Sequence, residues 1–259
     1  KMEYNKIKIV YDSWKNKIPS IKILHISDFH FSPNDFKALQ IIDLIKDKQY
    51  DFCFLTGDYI KSDKAIKDCI KVISNINTKN GTYAIWGNHD YRYDIKALEK
   101  ALIGNDVKLL VNQSESVNYG NNCINIIGLD VSVYDDVNPD VLKRGNLPKA
   151  LSGVKKGFNI LLSHSPDLID EASKKNINLM LSGHTHGGQI NLPIIGPIYA
   201  SSKFGTKYAS GLFKESKTRL FVTKGIGNVK VNFFDFPMKI PFSDTRILCK
   251  PEVNEIVVN

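Results

Sequence analysis

"IKILHISDFH" fills residues 21–30, and its reading decides the fold. Its first six residues are mainly Ile and Leu, a run of the length of a buried strand, and the run stops at Ser27 and Asp28. The same grammar recurs downstream. "DFCFLT" (51–56) stops at "GD", "TYAIW" (82–86) at "GNHD", "FNILLS" (158–163) at "HSP", and "NLMLS" (178–182) at "GHTH".

Helical patterns lie between these runs. Residues 34–48 place Phe36, Leu39, Ile42 and Ile45 three apart, which predicts one apolar face. Residues 63–76 repeat the pattern with Ile66, Ile70 and Ile73, and residues 94–103 with Ile95, Leu98 and Leu102. Pro166 opens a further helix to about Lys174, as first-turn proline does. Strand alternating with helix predicts βαβ units and a largely parallel sheet. "NYGNNCINIIGLD" (118–130) reads as a hairpin turn followed by a strand. "RLFVT" (219–223), "TRILC" (245–249) and "NEIVV" (254–258) follow one another without helices, which predicts a second sheet built there and packed on the first. No internal repeat, low-complexity segment or linker divides the chain, so one α/β domain over residues 1–259 is expected.

With 259 residues, 42% hydrophobic and 24% charged, the chain suits a globular domain and not a disordered one. Its net charge of +8 favours anionic or phosphorylated partners without choosing among nucleotides, nucleic acid and lipid head groups. Cys53, Cys69, Cys123 and Cys249 form no CxxC pair and read as buried thiols. No apolar run reaches the roughly 18 residues that span a bilayer. The expected location is cytoplasmic or membrane-associated; an anchor or signal removed ahead of Lys1 would not show in this sequence.

The polar residues gather at the strand ends. Asp28 and His30 follow one run, Asp58 the next, Asn88 and His89 the third, His164 the fourth, and His184 with His186 the fifth. Ligands of open α/β sheets bind outside the carboxyl ends of the strands. Seven oxygen or imidazole donors, with His89 beside them, are therefore expected on one rim. They are too many for one tetrahedral zinc, and no thiolate is among them. They suit two cations sharing a carboxylate, a centre that clamps a phosphoryl group and activates water. Imidazole and carboxylate together leave manganese, iron, zinc and cobalt open. In "GHTHGG", alternate imidazoles can serve different ions, and Gly183, Gly187 and Gly188 let the backbone turn close to them.

"SDFH" (27–30), "GDY" (57–59), "GNHD" (87–90), "SHSP" (163–166) and "GHTH" (183–186) stand in an order that resembles the calcineurin-like metallophosphoesterases. The resemblance spans about residues 21–230 and implies a two-sheet α/β/β/α sandwich. "GHTHGGQI" with Pro193 is similar to a bacterial subgroup of small, often membrane-associated phosphodiesterases, which includes UDP-2,3-diacylglucosamine pyrophosphatases. The resemblance implies Asp28, His30 and His186 on one metal, Asn88, His164 and His184 on the other, and Asp58 bridging them with a water or hydroxide that attacks phosphorus in line. His89 would stabilise or protonate the departing oxygen. Two divalent ions are expected, manganese first, with iron, zinc, cobalt or magnesium as alternatives.

Two departures narrow the class. Purple acid phosphatases place an iron-binding tyrosine three residues after the bridging aspartate, and phosphoprotein phosphatases place there an aspartate that orients the catalytic histidine. Here Lys61 stands at that position, so neither an iron-tyrosinate nor a phosphoprotein substrate is expected.

Tyr91 and Arg92 are candidate substrate contacts, His25 a core histidine, Asp90 a turn residue and Asp51 a strand-start residue. Lys143, Arg144, Lys149, Lys155 and Lys156 read as a solvated face, or as a docking surface for an anionic membrane. "VNFFDFPMKIPF" (231–242) reads as core under the second sheet, and part of it with "LPIIGPIYA" (192–200) as an apolar lip for acyl chains or a membrane interface.

The sum is a phosphodiesterase or pyrophosphohydrolase with a dinuclear centre, acting on a substrate that includes lipid-linked ones such as UDP-diacylglucosamine. The alternatives are a nuclease or cyclic-nucleotide phosphodiesterase, and a non-catalytic metal-bound scaffold. Lysine outnumbers arginine, and no stacking platform is apparent, so specific nucleic-acid binding is not expected.

Overall fold

The computed structural model describes residues 1–12, 19–131, 144–229 and 245–259. Lys143 and the aromatic stretch 231–242 lie outside them.

In chain order the described strands are β1 Glu3–Ile9, β2 Ile21–Ile26, β3 Phe52–Leu55, β4 Thr82–Ala84, β5 Val107–Leu109, β6 Gln113–Tyr119 and β7 Asn122–Gly128. β8 Phe158–Leu162, β9 Leu179–Ser182, β10 Asn191–Leu192, β11 Gly196–Pro197, β12 Gly211–Glu215, β13 Thr218–Val222 and β14 Glu252–Val258 follow. The helices are α1 Lys37–Ile45, α2 Ile66–Ile73, α3 Ile95–Ile103, α4 Leu147–Ala150 and α5 Ile169–Ser173. α3 and α4 start on side-chain caps: Asp94 accepts from the Ala97 N–H and Asn146 from the Lys149 N–H.

Two six-stranded sheets result, ordered β1-β14-β2-β3-β4-β5 and β12-β13-β9-β8-β7-β6. β2 through β5 run parallel in the first, and β7, β8, β9 and β13 in the second. Alternation along the strands makes the layers. Ile21 and Ile23 of β2 and Phe52 and Phe54 of β3 meet Phe158, Ile160, Leu179 and Leu181 between the sheets. The intervening Leu24, Ile26, Cys53 and Leu55 pack outward on Ile41, Cys69, Val72 and Leu98. On the far side Leu161 and Met180 cover Leu147, Ile169 and Ala172. The order is thus helix, sheet, sheet, helix.

Three expectations need correction. Of the helix-poor later segments only "RLFVT" joins the second sheet, as β13; the body of that sheet is β6–β9, and β12 extends it beyond β13. β14 instead enters the first sheet between β1 and β2, pairing antiparallel with β2 and parallel with β1. Residues 245–249 form no strand and make only a bridge, Ile247 to Ile190. In α1 the buried residues are Ala38, Ile41 and Ile45, while Phe36 and Leu39 stand exposed. A strict three-residue step falls short of the 3.6-residue turn, so such a stripe winds off the core face.

The four cysteines are free thiols; Cys53, Cys69 and Cys249 are buried and Cys123 half-buried. Arg144, Lys149, Lys155 and Lys156 are exposed, as on a solvated face. Among the described residues, no helix is long and apolar enough to cross a membrane.

Candidate metal centre

The polar loops leave the carboxyl ends of parallel strands in both sheets. Asp28 and His30 follow β2, Asp58 follows β3, and Asn88 and His89 follow β4; from the second sheet, His164 follows β8 and His184 and His186 follow β9. The rim is shared because the sheets pack with these ends together.

All eight residues converge. His30 Nε2 lies 3.3 Å from Asp58 Oδ2, and His164 Nε2 lies 3.4 Å from the same oxygen. His186 Nε2 lies 3.5 Å from Asp28 Oδ1. Asn88 Oδ1 is 3.0 Å from His164 Nε2, and the His164 and His184 rings are 4.9 Å apart. One ligand atom each from Asp28, His30 and His186 lies within 4.8 Å of the others, and the same holds for Asp28, Asp58 and His164. His89 makes a similar group with His30 and Asp58, so it stands at the centre and not behind it.

The backbone is bent to make this possible. Asp28, His30, Asp58, His184 and His186 take φ of 54°, 44°, 59°, 68° and 51°. Residues with a Cβ rarely occupy this region, and each costs on the order of 1–3 kcal/mol unless the surroundings hold it. Hydrogen bonds hold it here. The His184 N–H donates to Asp28 Oδ2 at 3.0 Å, and the His89 N–H to Asp58 Oδ1 at 2.8 Å. Gly183 is required for close approach, since a Cβ there would collide with the Asp28 carboxylate and the Ser27 hydroxyl.

Asp90 does more than make a turn. Its buried carboxylate accepts from the backbone N–H groups of Gly87 (2.8 Å), Asp58 (2.9 Å) and Tyr59 (2.8 Å), which ties the β3 and β4 loops together. An aspartate inside "GNHD" is the one sequence signal that marks it. Asp51 accepts from the Lys22 N–H at 2.7 Å at the start of its strand. His25 is a core residue, its Nε2 at 3.0 Å from Thr56 Oγ1 and its ring against Phe221.

Tyr91 and Arg92 lie outside the converging group. The Tyr91 hydroxyl donates to Asp130 at 2.5 Å beneath the Arg144 guanidinium, and Arg92 is exposed.

Electrostatics separate the imidazoles. Burial pulls the His164 ring down, but the Asp58 charge and hydrogen bond outweigh it and carry the group up to about 10. Asp58 is the mirror image: burial pushes it up, yet His164, His89 and His30 hold it well below the carboxylate range. Burial lowers His89 to about 4 and, helped by His164, His184 to about 3. Burial raises Asp28, with the Asp58 charge beside it.

These residues fit divalent cations. Both ring nitrogens of His30 and Nε2 of His184 are buried without a hydrogen-bond partner, an expensive state in a protein interior. The His164 Nδ1 sits 2.6 Å from the Thr56 carbonyl, which fixes that nitrogen as a donor and turns Nε2 toward Asp58. Buried carboxylates surrounded by imidazole nitrogens form a hard-to-intermediate donor set.

Comparison with known proteins agrees with this geometry. The family model for calcineurin-like phosphoesterases matches residues 21–188. The chain is 30% identical to the metallophosphoesterase YkuE of Bacillus subtilis (strain 168), over 92% of this chain and 77% of that protein. It is 27% identical to the phosphodiesterase YaeI of Escherichia coli (strain K12), over 93% of this chain and 83% of that one. Among solved structures, the phosphopantetheinyl hydrolase PptH from Mycobacterium tuberculosis shares the fold at a TM-score of 0.50 and 12% identity, covering 89% of this chain and 96% of that one. Converging loops, a matching family model and related phosphoesterases together place this chain in the calcineurin-like phosphoesterase family, as a metal-binding hydrolase of phosphate esters.

Proposed function

We propose that the protein is a phosphodiesterase or pyrophosphohydrolase with a dinuclear metal centre, formed within one domain. The observation that carries this reading is the position of Asp58, whose Oδ2 lies 3.3 Å from His30 Nε2 and 3.4 Å from His164 Nε2, between the two groups of donors. Asp28, His30 and His186 would hold one cation and Asn88, His164 and His184 the other, with Asp58 placed to serve both. Bound divalent cations supply Lewis acidity toward the phosphoryl oxygens and bring the pKa of water near neutrality, with manganese the first candidate.

The remaining steps belong to the chain. The His164 Nδ1–H held by Thr56 keeps that ring's orientation. Asp90, through the Asp58 and Gly87 N–H groups, keeps the two loops in register. His89, kept neutral by burial, donates its ring N–H to the departing oxygen as charge builds there. Arg92, exposed on the turn after His89, would contact the substrate, with Tyr91 held beside it by its bond to Asp130.

The test is hydrolysis of bis(p-nitrophenyl) phosphate. Activity is expected only with an added divalent ion such as manganese. His89→Ala is expected to lower kcat by about 10²–10⁴-fold, and Asp58→Ala to abolish turnover. No activity in the parent with any divalent ion would favour a non-catalytic scaffold. Activity surviving Asp58→Ala would contradict the shared carboxylate.

A second reading concerns the substrate. The β10–β11 hairpin follows the "GHTHGGQ" loop directly, and exposes Leu192, Ile194, Ile195 and Ile198. Ile247 and Leu248, carried beside it by the Ile190 bridge, are exposed as well. This apolar lip favours a phosphodiester or pyrophosphate bearing acyl chains over a free nucleotide. Such a substrate should be cut faster than its deacylated form, and Ile194→Glu with Ile195→Glu should erase the preference while leaving bis(p-nitrophenyl) phosphate turnover intact.

A further inference from the structure

Arg246 lies in the "TRILC" segment read from sequence as a strand. It is partly buried, and its guanidinium reaches into the wall of the centre. Nε is 3.0 Å from the Gly227 carbonyl and 3.1 Å from Asn228 Oδ1. Nη2 is 2.6 Å from the Lys224 carbonyl, 2.5 Å from the Gly227 carbonyl and 3.2 Å from His186 Nδ1. Nη1 is 3.3 Å from the His186 carbonyl and 3.7 Å from Cys249 Sγ. None of these acceptors is a carboxylate, so the group is not serving a simple ion pair. It spans two loops with a planar fork, which lysine cannot copy.

The contacts of the guanidinium within those two loops fall on the side of one donor group. The 224–228 loop backs Asp28 and His30: the Gly227 N–H donates to the Asp28 carbonyl at 2.7 Å, and the Ile226 N–H to the same carbonyl at 3.2 Å. Its packing leaves no slack, since a Cβ on Gly225 would lie 2.6 Å from the Asp28 Cβ, and one on Gly227 would lie 2.5 Å from the His30 Cβ. The second loop carries His186, which Arg246 holds at its backbone carbonyl, and two residues earlier His184, which Arg246 does not touch. Asn88, His164 and His184 receive none of these contacts; His164 is anchored on Thr56 instead.

We infer that Arg246 is a positioning residue that assembles the Asp28–His30–His186 cation site and leaves the Asn88–His164–His184 site to form without it. This rests on the two-cation reading above. It predicts a sign as well as a size. A guanidinium beside a cation repels it, so if Arg246 acted only through charge, Arg246→Met would tighten metal binding. Positioning predicts the reverse, with one site weakened by about 10–100-fold, the range for loss of an orienting partner, and the other unchanged.

The experiment is manganese titration of the full chain by calorimetry, with electron paramagnetic resonance at each stoichiometry. The parent should bind two ions and show an exchange-coupled pair. Arg246→Met should retain one tight ion with an isolated six-line spectrum, matching that of His186→Ala and not that of His184→Ala. Methylguanidinium added to Arg246→Ala should restore the second ion. Circular dichroism reports folding; if Arg246→Met does not fold, Arg246→Lys and Asn228→Ala are titrated instead, and each should weaken the same single site. Two ions bound with parental affinities in these variants would overturn the role of Arg246, and so would loss of both ions together. A parent that binds only one ion would instead overturn the dinuclear reading.

Discussion

The residues that set this centre share an uncommon backbone state. Asp28, His30, Asp58, His184 and His186 all sit at positive φ; the His184 N–H is met by the Asp28 carboxylate, the Asp58 N–H by that of Asp90, and the Asp28 and His30 N–H groups by the Gly57 and Asp58 carbonyls. The chemistry was legible in the sequence because Asp, Asn and His are conspicuous after apolar runs. The backbone state was not, because left-handed turns at these residue types depend on contacts from loops up to 156 residues away, as between Asp28 and His184. Arg246 was hidden for the same reason: it lies in a pentapeptide, "TRILC", that reads as a strand, and its partners come from two distant loops. His25 offers a test at this scale. Burial holds its imidazole down to about 3, against an ordinary value of 6.5. The unfolded chain therefore takes up a proton that the folded chain refuses between these two values. Its contribution to stability is present above about 6.5 and is lost as pH falls toward 3, at about 1.4 kcal/mol per pH unit. Urea unfolding of His25→Gln is expected to show a flatter fall in midpoint between pH 6.5 and the lowest pH at which the chain stays folded. A slope equal to the parent's would remove His25 from the acid response.

At the level of single elements, strands were easier to read than helix faces. β2, β3, β8 and β9 were placed within a residue or two, because short apolar runs ending at Gly, Ser or Asp have few other readings. In α1 the three-residue stripe of Phe36, Leu39, Ile42 and Ile45 matches the core face only at its end: Ile45 is buried and Ile42 packs on the core, while Phe36 and Leu39 are exposed and Ala38 and Ile41 take their place. Leu39→Ala is expected to shift the unfolding free energy by less than about 0.5 kcal/mol. Ile41→Ala, which empties a site against the first sheet, is expected to cost about 2–5 kcal/mol. Equal effects in chemical denaturation would contradict the face assigned to α1. The assignment of β14 was missed for a different reason. Its apolar run of Ile256, Val257 and Val258 suits either sheet, and only the open edge of β2 selects one of them.

Across the whole molecule, the centre joins the two sheets. Asp28, His30, Asp58, Asn88 and His89 come from the first, His164, His184 and His186 from the second. A cation bound by both groups adds a link that the unfolded chain lacks. Chelation with EDTA is expected to lower the melting temperature, and manganese to restore it, by about 2.7 kcal/mol of stability at 100 times the dissociation constant. A melting temperature indifferent to both would argue against cations bridging the sheets. The place of β14 has an effect of its own during synthesis. Glu3 pairs with Glu252 and Ile21 with Val258, so the middle of the first sheet closes only across some 240 residues. While the ribosome is still making the second sheet, β2 has emerged with a bare edge and the β1 segment has nothing to pair with. Until β14 has been made, that edge of β2 offers unpaired N–H and C=O groups to any other strand.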